Sequence, residues 1–314
     1  MLKFISRRLG FVLATLVLSS LVIFGITQVL PGDVATLIAG RFAAPEQLAR
    51  LRAELGLDRP LYVQYLDWLW RFATGDWGES LASGQQIQPV VMERLRNSAM
   101  LAVVGLLMSV PLAVLLGVAA ALKRNTWLDH LISVSSLALV GLPEFVTGLV
   151  FIGVFAIGLN LLPASSTIDP GSSFFEALPR LILPGMTVTL VMLAYVVRMT
   201  RSSTIEVLRT DYTRTAYLKG LPRHEVLFKH VLRNALLPTV TIVAISIGWL
   251  MGGLIVTESV FSYPGLGRLL LYSIERRDLP MIQAITMLVV AIYSLANLLA
   301  DILYAYLNPR IRLQ

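Results

Sequence analysis

Cysteine is absent from the sequence, which excludes disulfides, thiolate metal sites and thiol catalysis and leaves the redox compartment open. Histidine is scarce: His130, His224 and His230 all fall in segments assigned below to the cytoplasm, so they build no intramembrane zinc site. There is no G-x-x-x-x-G-K-S/T phosphate loop, so the chain is expected neither to bind nor to hydrolyse ATP. It also lacks a credible set of nucleophile, base and orienting group, which argues against an enzyme. Charge is short too, at 14% of 314 residues, against roughly 25% in soluble domains.

What fills the sequence instead is apolar residues, 56% of the total. Runs long enough to cross a bilayer, about 20 residues each, occur near 9–30, 98–122, 131–159, 181–200, 236–257 and 281–307. An all-helical integral membrane protein with six spans is therefore expected. The first run follows Lys3, Arg7 and Arg8, as a signal peptide would, but its length and the sequence "VLPGDVAT" after it favour an uncleaved span.

Cationic loops resist translocation. With the N-terminus inside, the pieces 1–8, 123–130, 198–234 and 308–314 hold 15 cations against 4 anions, and the outer pieces 31–97, 160–180 and 258–280 hold 11 against 13. Both termini are placed in the cytoplasm. The net charge of +7 is thus a juxtamembrane excess that anionic lipid attracts, and nucleic acid is not an expected partner. The organisation is a tail and first span over 1–30, an extracytoplasmic helical region over 31–97, and a five-span core over 98–314 with a cytoplasmic loop at 201–234.

In the outer region, Leu48, Leu51 and Leu55 share a helical face between Pro45 at a first position and Gly56 at a stop. A second helix follows in "LYVQYLDWLWRFATG", whose Tyr62, Tyr65, Trp68 and Trp70 suit an interfacial belt. Within the third run, Pro143 predicts a kink, and Glu144 is an intramembrane carboxylate that either serves the pathway or is bonded for structural reasons. Asn297 and Asp301 lie one turn apart in the last run and read as a polar clamp to a neighbouring helix, with Arg198 as a candidate partner. "GWLMGGLIV" in the fifth run suits close backbone approach and would equally suit a pore-lining helix, and "TESVFSYPGLGRLLLYSIERRDLP" beyond it suits a re-entrant or interfacial scoop.

The cytoplasmic stretch "RTDYTRTAYLKGLPRHEVLFKHVLRNALLPTV" is the most polar part of the core. Ile205, Leu208, Tyr212 and Ala216 form one helical stripe, Gly220 and Leu221-Pro222 make a turn, and Phe228, Val231, Leu232 and Ala235 form the face of a second helix. Taken alone, this is a basic helix-turn-helix on the cytoplasmic surface, and adsorption to anionic lipid would explain it.

The same stretch resembles the permease subunits of ATP-binding-cassette importers. Their pattern is Glu-Ala-Ala, three residues, Gly, and later Leu-Pro; here Thr215-Ala216, Gly220 and Leu237-Pro238 match, and Arg214 stands where the family has Glu. "YTRTAYLKG" and "LRNALLP" resemble the dipeptide, oligopeptide and nickel branch, as do "RRL", "LPGD", "LGLDRPLYVQY", "GDWGES", "TESVFSYPGLGR" and "LNPRIR" in order along the chain. The resemblance implies the type I (MetI-like) permease fold with an outer insertion, in the bacterial inner membrane. It also implies a second permease subunit, two ATPases that bind ATP and Mg, and an external binding protein. Arg214, Thr215, Ala216, Gly220, Leu221, Pro222 and Arg233 would belong to a coupling helix docked on an ATPase, small Ala216 allowing close packing and Gly220 the turn. Short peptides are the expected cargo, with nickel chelates, glutathione and opine- or sugar-like solutes as alternatives. A proton-driven carrier using Glu144 and Asp301, and a membrane scaffold, are the readings from other classes.

Overall fold

The computed structural model describes residues 2–29, 44–54 and 56–307, which form an all-helical chain with no named strand among them. The sequence motifs at 30–33 and 308–312, and the side chains of Leu51 and Leu55, lie outside the described residues. Five helices are long and apolar enough to cross a membrane, and a bent pair supplies the sixth span when counted as one.

The first span is α1 (Leu2–Val29). Between the first two spans, α2 (Pro45–Glu54) starts at the expected proline, and α3 (Leu61–Thr74) ends where Gly75 adopts φ +87°. The aromatic residues of α3 divide between two roles. Tyr62 and Trp70 are exposed, as a belt requires. Tyr65 and Trp68 turn inward: the Tyr65 hydroxyl pairs with Ser20 at 2.8 Å, and Phe24 of α1 lies 5.6 Å from Tyr65 and 5.9 Å from Trp68.

The core is built on α4 (Ile87–Leu122), α5 (Trp127–Val140), α6 (Glu144–Phe151) and α7 (Phe174–Leu208). With 36 residues, α4 is about 54 Å long, well beyond the hydrocarbon thickness of about 30 Å; it extends the expected span at its N-terminal end. α4 and α7 form the most extensive helix pair. Leu101, Val104, Leu181, Val188 and Met192 are buried between or beside them. The axes approach closely at Gly117, where a Cβ would sit 2.7 Å from Thr200 Cβ and 2.8 Å from the Val197 carbonyl.

The third span is broken rather than kinked. α5 and α6 with its π-helical continuation Ile152–Gly158 differ in direction by 106° across residues 141–143. Pro143 biases Leu142 away from helical torsions and caps α6 with φ −59° and ψ 136°, which turns a kink into a break.

Beyond α7 come α8 (Asp211–Leu218), a single turn Arg223–Glu225, a π-helical segment Val226–Val231, and the fifth span α9 (Leu232–Gly253). The hairpin that follows holds α10 (Ile255–Val260) and α11 (Leu266–Arg276), and α12 (Leu279–Leu307) is the last span. A Cβ on Gly248 of α9 would meet Tyr293 of α12 at 3.0 Å, so part of the glycine-rich run does set a close helix approach.

Candidate functional site

The loop at 201–234, expected on the cytoplasmic side, folds as a short helix laid over a small apolar cluster. Thr210 and Thr213 both donate to the Val207 carbonyl, at 2.6 and 2.9 Å, which turns the chain sharply from α7 into α8. α8 buries Thr213 and Ala216, at 0% and 5% exposure. Ala216 packs with Val226, Val231 and Ala235, bordered by Val207, Leu208, Leu221 and Leu227. Gly220 closes the helix with φ +76°, a conformation that an L side chain rarely adopts. Asn234 donates to the Tyr212 hydroxyl at 3.0 Å and ties α9 back to α8.

Two expectations about this loop are corrected. Ile205 and Leu208 belong to α7, so the stripe does not continue into α8, whose buried positions are Thr213 and Ala216 while Tyr212 is exposed. The second helix buries Val226, Val231 and Ala235, but Phe228 is 67% exposed. The cause is the π-helical register: bonds from i to i+5 space the buried positions five apart and rotate Phe228 outward. An α-helical periodicity cannot reveal that shift.

Arg214, Thr215, Pro222 and Arg233 are exposed, and Leu221 is half-buried against the cluster. Ala216 faces the chain's own interior, so close packing at that residue is internal. The surface is presented by Tyr217 and Leu218, 43% and 79% exposed, which the motif comparison did not single out. A bidentate ion pair that no sequence motif signals lies nearby: Arg201 of α7 donates to Asp129 of α5 at 2.6 and 2.7 Å, with Asp129 buried. Asn125 N also donates to Asp129, at 2.9 Å.

The intramembrane polar residues are separate from this loop. Glu144 accepts a hydrogen bond from the Thr257 hydroxyl, linking the start of α6 to α10. Asp301 pairs with Arg8 of α1 at 2.7 Å, and Arg198 is exposed, so the clamp joins the last span to the first. Asn297 is half-buried one turn away.

At the opposite end of the spans, the hairpin 257–268 wraps around the side chain of Glu258, which is fully buried. Ser98 of α4 donates to Glu258 at 2.5 Å, and Arg268 N donates at 3.0 Å. Ser98 in turn accepts from Leu266 N, while the Tyr263 hydroxyl donates to the Asn97 carbonyl at 2.7 Å. A Cβ at Gly265 would collide with the Glu258 carboxylate. Burial pushes this carboxyl up to about 7, against the donors from Ser98, Arg268 and Gly267 and the charge of Arg94. Asp278, also buried, takes Ser80 Oγ at 2.5 Å and the N–H groups of Leu81 and Ala82, holding the "GDWGES" loop against the start of α12.

A six-span helical protein with a helix-turn-helix on one face and a wrapped hairpin on the other has the form of a solute permease. Residues 113–313 match the family of binding-protein-dependent transport system inner membrane components, and residues 1–103 match that family's N-terminal region. The chain is 38% identical to the dipeptide transport system permease protein DppB of Escherichia coli K12, covering 99% of both chains. It is 38% identical to the di/tripeptide transport system permease protein DppB of Pseudomonas aeruginosa UCBPP-PA14 over 100% of both. It is 36% identical to the glutathione transport system permease protein GsiC of Salmonella typhimurium LT2 over 99% of both. The chain belongs to this family of inner-membrane permease subunits of ATP-binding-cassette importers.

Proposed function

We propose that this chain forms half of a pathway for short peptides, beside a second permease subunit, and that α8 with the turn at Gly220 couples it to an ATPase. The observation that carries the coupling role is Leu218. An aliphatic side chain 79% exposed at the end of a cytoplasmic helix, set on a cluster that fixes the helix in place, is suited to burial in a partner's groove. In this reading both termini lie in the cytoplasm, two ATPases bind ATP and Mg, and an external binding protein delivers the peptide. The chain itself carries no nucleotide site and no catalysis. Peptide cargo is supported by the dipeptide, di/tripeptide and glutathione relatives, all of which are named for peptidic solutes.

Glu144 and Asp301 act as structural ties in this scheme, since each side chain bridges two helices. The test is uptake of labelled dipeptides by the reconstituted complex. ATP-dependent uptake that requires the binding protein is expected. Transport of nickel chelates or sugars with no competition by dipeptides would reject the cargo.

A further inference from the structure

A cavity of about 650 Å³ lies between the end of α1, the helices α2 and α3, and the start of α12. Its level in the membrane follows from the spans beside it. The apolar window of α1 closes at Gln28 and α12 opens at Leu279, and Thr27, Gln28, Leu279 and Pro280 all line the cavity. It therefore sits where a bilayer passes from hydrocarbon to headgroups, beside the exposed Tyr62 and Trp70 of α3.

Part of the wall is aromatic: Trp68 lies 5.9 Å from Phe24 and 6.2 Å from Phe72, and Phe72 stacks on Trp77 at 5.1 Å. The charged lining is Arg52, Arg59 and Arg71 against Asp67 and Asp76, so cations are in excess. Arg71 pairs with Asp67 at 3.3 Å, and Asp76 accepts from Gly78 N at 3.3 Å. Arg59 differs, making no ion pair and no side-chain hydrogen bond among the described residues. Its place is nonetheless set by the turn that carries it. Gly56 adopts φ +68°, a Cβ there would lie 3.3 Å from Arg59 Nε, and Gln64 donates to the Leu57 and Arg59 carbonyls at 3.1 and 2.8 Å. A guanidinium placed at a cavity wall with its donors uncommitted suits an oxyanion that takes two parallel N–H bonds, as a phosphate does.

The surface leading to the site separates a lipid from a soluble phosphate ester. Val17, Leu21, Phe24 and Gln28 recur at helical spacing along one face of α1. Phe24 and Gln28 line the cavity, while Val17 and Leu21 are 51% and 49% exposed. An uncovered apolar track thus runs along the span to the cationic end.

We propose that this cavity holds the headgroup of an anionic phospholipid, its phosphodiester on Arg59 and its acyl chains along Val17 and Leu21. The lipid fills the wedge that α1 leaves with α3 and α12. Within the chain those helices are tied to α1 by the Ser20 and Tyr65 hydroxyls at 2.8 Å and by Gln283, which donates to Thr27 at 2.6 Å. The inference concerns the seat of the chain in the bilayer and holds for any transported solute.

The experiment uses the full-length chain. Native mass spectrometry after extraction from the membrane should show a retained phospholipid, enriched in anionic headgroups over the membrane it came from. Thermal unfolding in neutral detergent then compares added phosphatidylglycerol, phosphatidylcholine and glycerol phosphate. Phosphatidylglycerol should stabilise at about tenfold lower concentration than phosphatidylcholine, and glycerol phosphate should not stabilise. Arg59→Gln removes the phosphate's partner, and Gln28→Glu sets a repelling charge beside it. Each should abolish the preference at an unchanged lipid-free melting temperature, since both side chains are exposed. Equal stabilisation by the two lipids, or a preference that survives in both variants, would overturn the proposal. Glycerol phosphate matching the lipid would overturn it in favour of a soluble phosphate ester, and displacement of the retained lipid by a dipeptide in favour of a cargo site.

Discussion

Two substitutions two residues apart separate the inward and outward faces of α8. Ala216→Asp puts a carboxylate into the cluster of Val226, Val231 and Ala235, where the native side chain is only 5% exposed. An unpaired charge there costs about 3 kcal/mol or more, enough to lift α8 off α9. Leu218→Ala leaves that cluster untouched because Leu218 is 79% exposed. Its whole effect should fall on docking, where burying a leucine contributes about 1.5–3 kcal/mol, so affinity for the ATPase should drop about tenfold or more. The assays are thermal unfolding of the purified subunit, retention of the ATPase on purification, and ATP hydrolysis stimulated by loaded binding protein. Ala216→Asp should lower the melting temperature and lose the ATPase; Leu218→Ala should lose affinity at an unchanged melting temperature. Wild-type melting of Ala216→Asp would refute the inward packing. Wild-type affinity of Leu218→Ala would refute docking through this face.

Asp129→Asn removes the carboxylate partner of Arg201, which is half-buried and keeps some access to solvent, so the loss should be about 1–3 kcal/mol; a fall in melting temperature is expected, and no change would mean the pair is solvated. Glu258 gives a pH signature. Its carboxyl holds a proton in the fold up to about 7 against an ordinary 4.5, so stability is greatest below 4.5 and falls by about 3 kcal/mol as pH rises through 7. Melting in detergent at acid and mildly alkaline pH should show this fall, and Glu258→Gln should flatten it. For topology, Tyr62→Cys in this cysteine-free chain should react with an impermeant thiol reagent from outside and Leu218→Cys only from inside; the reverse pattern would invert the orientation.

The spans were legible because bilayer thickness imposes a length that composition reveals directly, and Pro45 and Gly56 marked the first helix between the first two spans through local torsions. The loop at 201–234 was legible as motif but not as surface. Ala216 is small because its own chain presses on it, and nothing in the motif distinguishes that from contact with a partner. Phe228 escaped because a π-helical segment alters the period on which face assignments depend. The partner of Asp301 escaped because Arg8 is almost 300 residues away in sequence, and pairings across that separation leave no local signal. Asp129 and Arg201 were visible only as charges near span ends for the same reason.

The most direct measurement reconstitutes the chain in liposomes alone and with its permease and ATPase partners, then follows labelled dipeptide. Accumulation should require the complete complex, enclosed ATP and external binding protein, and the chain alone should give none under a proton gradient. Proton-driven accumulation by the chain alone would contradict the account.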